Sequence, residues 1–327
     1  MGIIMDKGYT NMKKSILMFL CLTLLLGVGA VFTGCDSTAD HTGTTIVAVG
    51  FAGYDFARSI LSRYTENGGE GVVQLTILGK PGQDMHSFEP TAQDIITLAG
   101  ADVVIATGAE SWLDAALASS GNTSARVVSM MEACDLHAAD HDHDHSHEDD
   151  SCALIGNDEH VWLSVDYAAR IVKGITEALK QADPDNAAAW EASAEQYKTE
   201  LEALNTAYHD MVKTAARKQV VVADRHPFVY LFADLGLDCA AAFPGCSSET
   251  SASFETQVKL IEFTRTHELP YIFIIEGSDS KVAEVVAAET GAEILTLNSL
   301  QVVTDFENTT YLTVMKSNLE NLKKALQ

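Results

Sequence analysis

Three histidines stand out because each sits where a folded α/β protein places its ligands. His86 lies in GQDMHSFEP, directly after a predicted strand and before a helix. His160 lies in NDEHVWLS, at a loop-to-helix entry, and His226 lies in ADRHPFVYL, again directly after a strand. Open α/β sheets bind ligands at the C-terminal ends of their strands. Neutral imidazole is the commonest side-chain ligand for Zn2+ and related ions. One such residue alone reads as a structural histidine; three in the same kind of position point to a shared metal site. His41, His209 and His267 fall in a tether or on helices and read as surface residues.

A second group of histidines carries different chemistry. Five of the 11 (His137, His141, His143, His145 and His147) fall in CDLHAADHDHDHSHEDDSC, among seven acidic residues. The stretch has almost no apolar content, so burial cannot offset the entropy of ordering it, and it reads as a mobile loop. Alternating His and Asp offers many overlapping N/O ligand sets without a fixed geometry. That suits a weak, multivalent zinc trap over residues 136–151; a solvated spacer is the alternative.

The elements that must position the three isolated histidines alternate between strand and helix. Thr45–Val49, Val72–Leu78, Asp102–Ala106 and Arg126–Ser129 read as strands, with helices over Thr91–Ala99 and Ser111–Ala118. The continuous apolar run at 102–106 predicts a strand buried on both faces. Val165–Lys180 is an amphipathic helix stopped by Asp183-Pro184. Beyond it Trp190, Ala194, Tyr197, Leu201, Leu204, Tyr208, Met211 and Ala215 recur at alternating spacings of four and three, with no Gly or Pro between them. This predicts a helix of about thirty residues with one apolar stripe. A second α/β half follows. Its strands are Gln219–Ala223, Tyr271–Ile275 and Glu293–Leu297, and its helices Val229–Leu235, Ser253–His267, Lys281–Thr290 and Tyr311–Leu326. The fold class is therefore α/β, with parallel sheets in two halves flanking one long helix.

Composition narrows the partners. The 327 residues hold 21 Lys+Arg against 46 Asp+Glu, a formal net charge of −25. Such an anion repels nucleic acid phosphates and anionic headgroups and suits a cationic ligand, so no nucleic acid partner is expected. Lys13 and Lys14 precede an uncharged apolar run from Ile16 to Phe32, the pattern of an export signal. Phe32-Thr33-Gly34-Cys35 follows and resembles a bacterial lipobox, with residues 1–34 removed and Cys35 lipidated. A plain membrane anchor is the alternative, and Met12 is a more natural start than Met1. Export permits disulfides. With Cys21 removed and Cys35 consumed, the pairs Cys134–Cys152 and Cys239–Cys246 each close a short loop, though the other connectivities stay open. No CxxC occurs to suggest a cysteine zinc site. A zinc hydrolase is a poor reading, since HExxH and GxSxG are absent.

These motifs together resemble the substrate-binding lipoproteins of zinc/manganese ABC importers. The likeness runs through the HSFEP box at His86, the His-rich acidic loop and the HVWLS box at His160. It continues through the DPDNAAAWEASAEQYKTELEAL helix, RHPFVYLFADLGL and ETGAEILTLN. The resemblance implies an N-terminal lobe (45–182) behind a tether (35–44), a rigid linking helix (183–218) and a C-terminal lobe (219–327). It implies a metal held in the interlobe cleft by His86 and His160 from the first lobe and His226 from the second. Manganese members often carry acids where His226 and Asn298 stand, so this softer set implies Zn2+ ahead of Mn2+. The fourth position is open between water and a carboxylate, with Glu276, at the end of a second-lobe strand, as the candidate. The resemblance also implies a lipid-anchored, extracytoplasmic monomer that delivers its ion to a membrane permease and is not an enzyme. A manganese or iron receptor is the runner-up, and an adhesin role is compatible with the same fold.

Overall fold

The computed structural model describes residues 43–136, 158–245 and 252–327. The expected signal segment, Cys35 and the histidines of the acidic stretch lie outside these residues. The first sheet is built from β1 (Gly43–Ala48), β2 (Val72–Ile77), β3 (Val103–Ala106) and β4 (Arg126–Ser129), in the order β2-β1-β3-β4. All its pairings are parallel, with Ile46 opposite both Leu75 and Val103. Val103, Val104, Ile105 and Ala106 are all buried, as a doubly covered central strand requires. The helices are α1 (Phe51–Tyr64), α2 (Ala92–Ala99) and α3 (Leu113–Ser120). α2 starts where the sequence asks it to: Thr91 accepts from the Asp94 amide while the Asp94 carboxylate accepts from the Thr91 amide, a closed capping box.

After α4 (Val165–Ala182), Pro184–Asn186 forms one 3-10 turn and the chain enters α5 (Ala187–Lys213), the long helix that links the lobes. Its buried face carries Trp190, Tyr197, Leu201, Leu204, Tyr208 and Met211. The predicted stripe is thus the packed stripe, except that Ala215 lies beyond the helix end. There the chain turns off, and the amides of Ala216 and Arg217 donate to the Leu326 carbonyl.

The second sheet repeats the first in topology. β5 (Gln219–His226), β6 (Asp238–Pro244), β7 (Tyr271–Ile275) and β8 (Glu293–Leu297) run parallel in the order β6-β5-β7-β8. They are interleaved with α6 (Val229–Leu235), α7 (Phe254–Thr266) and α8 (Lys281–Thr290), and α9 (Tyr311–Leu326) closes the chain. Two elements here were not anticipated from the sequence, α1 and β6.

The lobes are tied together through α1 and the segment that leads into α9. The Arg58 guanidinium of α1 donates to the Asp55 carboxylate and to the carbonyls of Phe306 and Thr309 just before α9. Asp55 is fully buried and its other oxygen accepts from the Tyr311 amide at 2.6 Å. Phe56 packs edge-on against Tyr311 with ring centroids 4.9 Å apart. On the linking helix, Trp190 stacks on Tyr64 of α1, and Tyr208 donates to the Met315 carbonyl of α9 at 2.6 Å. α5 therefore has an aromatic anchor in each lobe.

One expected cross-link does not form. Cys134 is a buried free thiol, with Sγ 3.9 Å from the Tyr167 carbonyl of α4. Its side chain is part of the first-lobe core, and as a free thiol it does not form the expected Cys134–Cys152 pair. Burial pushes this thiol up to about 12. Cys239 is disulfide-bonded; its expected partner Cys246 lies outside the described residues.

Candidate metal centre

Two short sequence units carry the first-lobe histidines, and both are built alike. Asp84 precedes His86 by two residues, and its Oδ1 accepts from both the His86 amide at 3.0 Å and His86 Nδ1 at 2.8 Å. Asp158 stands in the same relation to His160, with Oδ1 accepting from the amide at 2.8 Å and from Nδ1 at 2.7 Å. In each unit the carboxylate fixes the ring and draws the proton to Nδ1. Nε2 is left carrying the lone pair that a metal ion takes. The hydrogen bond from His86 holds the Asp84 carboxyl down at about 2, so the clamp is ionised at any ordinary pH.

His86 Nε2 lies 2.9 Å from Glu159 Oε1. A lone pair and a carboxylate oxygen that close repel unless a proton or a cation is shared between them. Ligand atoms of His86, Glu159 and His160 all fall within 4.8 Å of one another, the only such group of three or more among the described residues. The two imidazole centroids are 5.4 Å apart. His160 is completely buried, whereas the side chains of His86 and Glu159 keep 29% and 22% of their exposure. The cluster thus has a closed floor and a partly open mouth. That mouth adjoins a cavity of about 630 Å3 lined by His86, Phe88, Trp112, Met131, Glu159 and Gln301 among others.

The second lobe contributes His226, the last residue of β5. It is 1% exposed, and neither ring nitrogen has a hydrogen-bond partner. Burying two unpaired imidazole nitrogens is costly, and such orphans in a folded protein call for an explanation. Phe232 and Phe228 flank the ring. Burial drives its pKa down to about 4; the nearby Asp158 opposes that shift and His160 adds to it. His226 is therefore neutral at physiological pH, with a lone pair in an apolar pocket beside the other lobe's donors. It does not belong to the group whose atoms fall within 4.8 Å of one another.

The expected fourth donor is engaged elsewhere. Glu276 follows β7, and its Oε2 accepts from the Ser299 amide at 2.7 Å. Its Oε1 accepts from Ser299 Oγ at 2.6 Å and from the Gln301 amide at 3.2 Å. Both oxygens thus hold the turn after β8, and the carboxylate that stands beside His86 and His160 is that of Glu159. Asn298 is also a turn residue: its Oδ1 accepts from the Leu300 amide at 2.8 Å. The turn held by Glu276 in turn reaches the first lobe. The Trp162 indole donates to the Ser299 carbonyl at 2.9 Å, and the side-chain amide of Gln301 donates to His160 Nε2. Two further contacts join the lobes here. Tyr230 donates to the Asp158 carbonyl at 2.8 Å, and Arg225 Nη1 lies 4.0 Å from Asp84 Oδ2. Gly245 makes room for this approach, because a Cβ there would sit 2.8 Å from Asp158 Oδ2.

Sequence reasoning missed Asp84, Asp158, Glu159 and Gln301. The first three were readable: Asp-x-His occurs at 84–86 and again at 158–160, with Glu159 inside the second unit. Gln301 left no signal.

Known proteins resemble this chain over most of its length. The high-affinity zinc uptake system protein ZnuA of Bacillus subtilis is 29% identical over 316 residues, covering 94% of this chain and 95% of the relative. The zinc-binding protein AdcA of Streptococcus pyogenes is 28% identical over 327 residues; the match spans 95% of this chain but only 61% of that longer relative. Among solved structures, the metal-dependent lipoprotein YcdH from Bacillus subtilis superimposes with a TM-score of 0.69 at 27% identity, covering 86% of this chain and 99% of that one. The family described as zinc-uptake complex component A, periplasmic, matches residues 57–325. With most of its length matched, two parallel four-stranded sheets joined by a long helix, and histidines from both lobes at the sheet ends, the chain belongs to the ZnuA family.

Proposed function

We propose that this protein captures Zn2+ outside the cytoplasmic membrane and hands it to the permease of an ABC importer. The observation that carries the reading is the pairing of two carboxylate-clamped histidines, His86 and His160, with a buried, partnerless His226 from the opposite lobe. Three imidazoles and the Glu159 carboxylate make a borderline-soft N/N/N/O donor set that suits Zn2+ better than the all-oxygen sets preferred by Mn2+. Each residue has its part. Asp84 and Asp158 set the tautomers, and Glu159 supplies negative charge at the open side. His226 closes the site from the second lobe with a ring already neutral, so binding need not wait for a proton to leave it. The family is one of transport receptors, not of enzymes.

The reading extends to residues outside the described ones: a lipid anchor on Cys35, a Cys239–Cys246 disulfide, and a secondary, weak zinc trap at His137, His141, His143, His145 and His147. It also takes the working protein as a monomer with its lobes at 45–182 and 219–327. Calorimetry with Zn2+ on protein lacking residues 136–151 tests it. One tight binding event is expected to persist while weak, multiple-site binding is lost. Loss of the tight event with the deletion would show that the cleft histidines are not the primary site.

A further inference from the structure

β5 is irregular where it reaches the cleft. Val222 pairs with Ala241 of β6 and Arg225 with Phe243, so three steps on one strand face two on the other and β5 carries an extra residue. Asp224 fills the break. Its Oδ1 accepts from the Arg225 amide at 2.8 Å, and its Oδ2 accepts from the Ile275 amide of β7 at 3.1 Å. A bulge of this kind re-aims the side chains beside it. Two follow here, and they go to different clamps. His226 enters the aromatic pocket near Asp158. Arg225 crosses to the first lobe, where its Nη1 lies 4.0 Å from Asp84 Oδ2. Asp84 Oδ1 already accepts from the amide and ring of His86, so the two oxygens of this carboxylate divide between the lobes.

The charge at this corner is otherwise one-sided. Asp84, Asp158 and Glu159 set three carboxylates against the histidine rings, and Glu89 and Glu110 line the adjoining cavity. Among the described residues that line it, none is Lys or Arg. Arg225 supplies a cation from the second lobe. Its side chain keeps 27% of its exposure and Asp84 keeps 32%, so the pair is wet and loose, without a close hydrogen bond that would fix the guanidinium.

We propose that Arg225 is a resident counter-charge that lowers the affinity of the site for its ion. The proposal rests on the zinc-site reading above. In the empty protein the guanidinium offsets Asp84 and draws the two lobes together. When Zn2+ sits on His86, the metal and Arg225 flank the same Asp84–His86 unit. Their repulsion exists only in the loaded state, so it shifts the balance toward the empty one. The effect eases release from a donor set that suits Zn2+ well, and it comes from a residue that is not itself a ligand.

The test is the Zn2+ affinity of the full mature protein by competition with a chromophoric chelator. Wild type, Arg225→Lys and Arg225→Gln are compared at low salt and at about 0.5 M salt, where exposed charges are largely screened. Gln removes the charge, whereas Lys keeps it and loses the planar fork. Arg225→Gln is expected to bind Zn2+ about threefold to tenfold more tightly at low salt, the scale of one partly exposed charge near a divalent ion. That gain should shrink at high salt. Arg225→Lys should stay within about twofold of wild type, a rescue that a role in packing or hydrogen-bond geometry would not give. Unchanged or weaker binding by Arg225→Gln overturns the proposal. A gain that ignores salt, or Arg225→Lys behaving like Arg225→Gln, overturns it too. If the variants do not fold, as judged by circular dichroism, Arg225 is a structural residue and the proposal falls. Failure of the zinc-site reading has a different signature: the wild type itself would show no tight Zn2+ binding.

Discussion

His226 makes the stability of the metal-free protein depend on pH in a way that can be worked through. In the folded chain burial holds this imidazole at about 4, against an ordinary value of 6.5. Between those values an unfolded chain binds a proton at His226 and the folded chain does not. Stability rises with pH wherever the unfolded state binds more protons, so acidification from pH 6.5 toward 4 destabilises the fold. Below about 4 both states are protonated and the loss levels off. A shift of this size corresponds to roughly 3 kcal/mol in total, at about 1.4 kcal/mol per unit. The ring is 1% exposed, so solvent does little to reduce it. Substituting His226→Phe, which suits the aromatic surroundings of Phe228 and Phe232, removes this one titration and leaves the other groups in place. Urea denaturation of both proteins in the presence of a chelator, at pH 7 and at pH 4, reads the difference. Wild type should lose about 3 kcal/mol more than the variant over that interval. Equal losses would refute the reasoning and mean that His226 is solvated or paired.

Other perturbations address the clamps and the cross-lobe ties. Asp158→Asn should lower Zn2+ affinity by about 10- to 100-fold, as loss of a carboxylate behind a ligating histidine usually does; calorimetry showing less than a twofold change would deny Asp158 that role. Arg58→Ala strands the buried Asp55 carboxylate and should cost about 3 kcal/mol in urea denaturation, the low end for a broken buried pair because Arg58 is partly exposed. A loss below about 1 kcal/mol would show that Asp55 is satisfied without it. Cys134 should stay inert to an aromatic disulfide reagent in the native protein and react only on unfolding; rapid native labelling would contradict its placement in the core.

The parts of the molecule that were legible in the sequence share a property: their signal is local. The stripe from Trp190 to Met211 is periodic along a single helix, and β3 is an unbroken apolar run. His86 and His226 could be singled out because strand ends are themselves readable, and His160 because it stands at a helix entry. α1 escaped because its buried face includes Gly53 and the charged Asp55. Gly53 is there since a Cβ would meet Ile105 Cγ2 at 2.7 Å, and Asp55 is there for the Tyr311 amide as well as for Arg58 one turn along; Ile105 and Tyr311 are neighbours that only the folded chain supplies. β6 escaped because DCAAAFP is rich in alanine, a poor strand former that is placed by its pairing with β5. Glu276 shows the limit most clearly. A carboxylate at a strand end can face a metal or a turn, and the choice here depends on amides 23 and 25 residues further along.

Trp162 gives the protein a built-in optical reporter. Its ring centroid lies 5.2 Å from that of His160, and its N–H is bonded to Ser299, two residues before Gln301. Indole emission responds to the local electric field, so a divalent charge arriving on His160, or a shift of the turn after β8, should change the colour of this fluorophore. Of the other two tryptophans, Trp112 borders the same cavity, while Trp190 is stacked on Tyr64 at the start of the linking helix, outside the cavity lining. Ion capture can therefore be followed in the unlabelled protein, with Trp190 as an internal reference that the cargo does not reach.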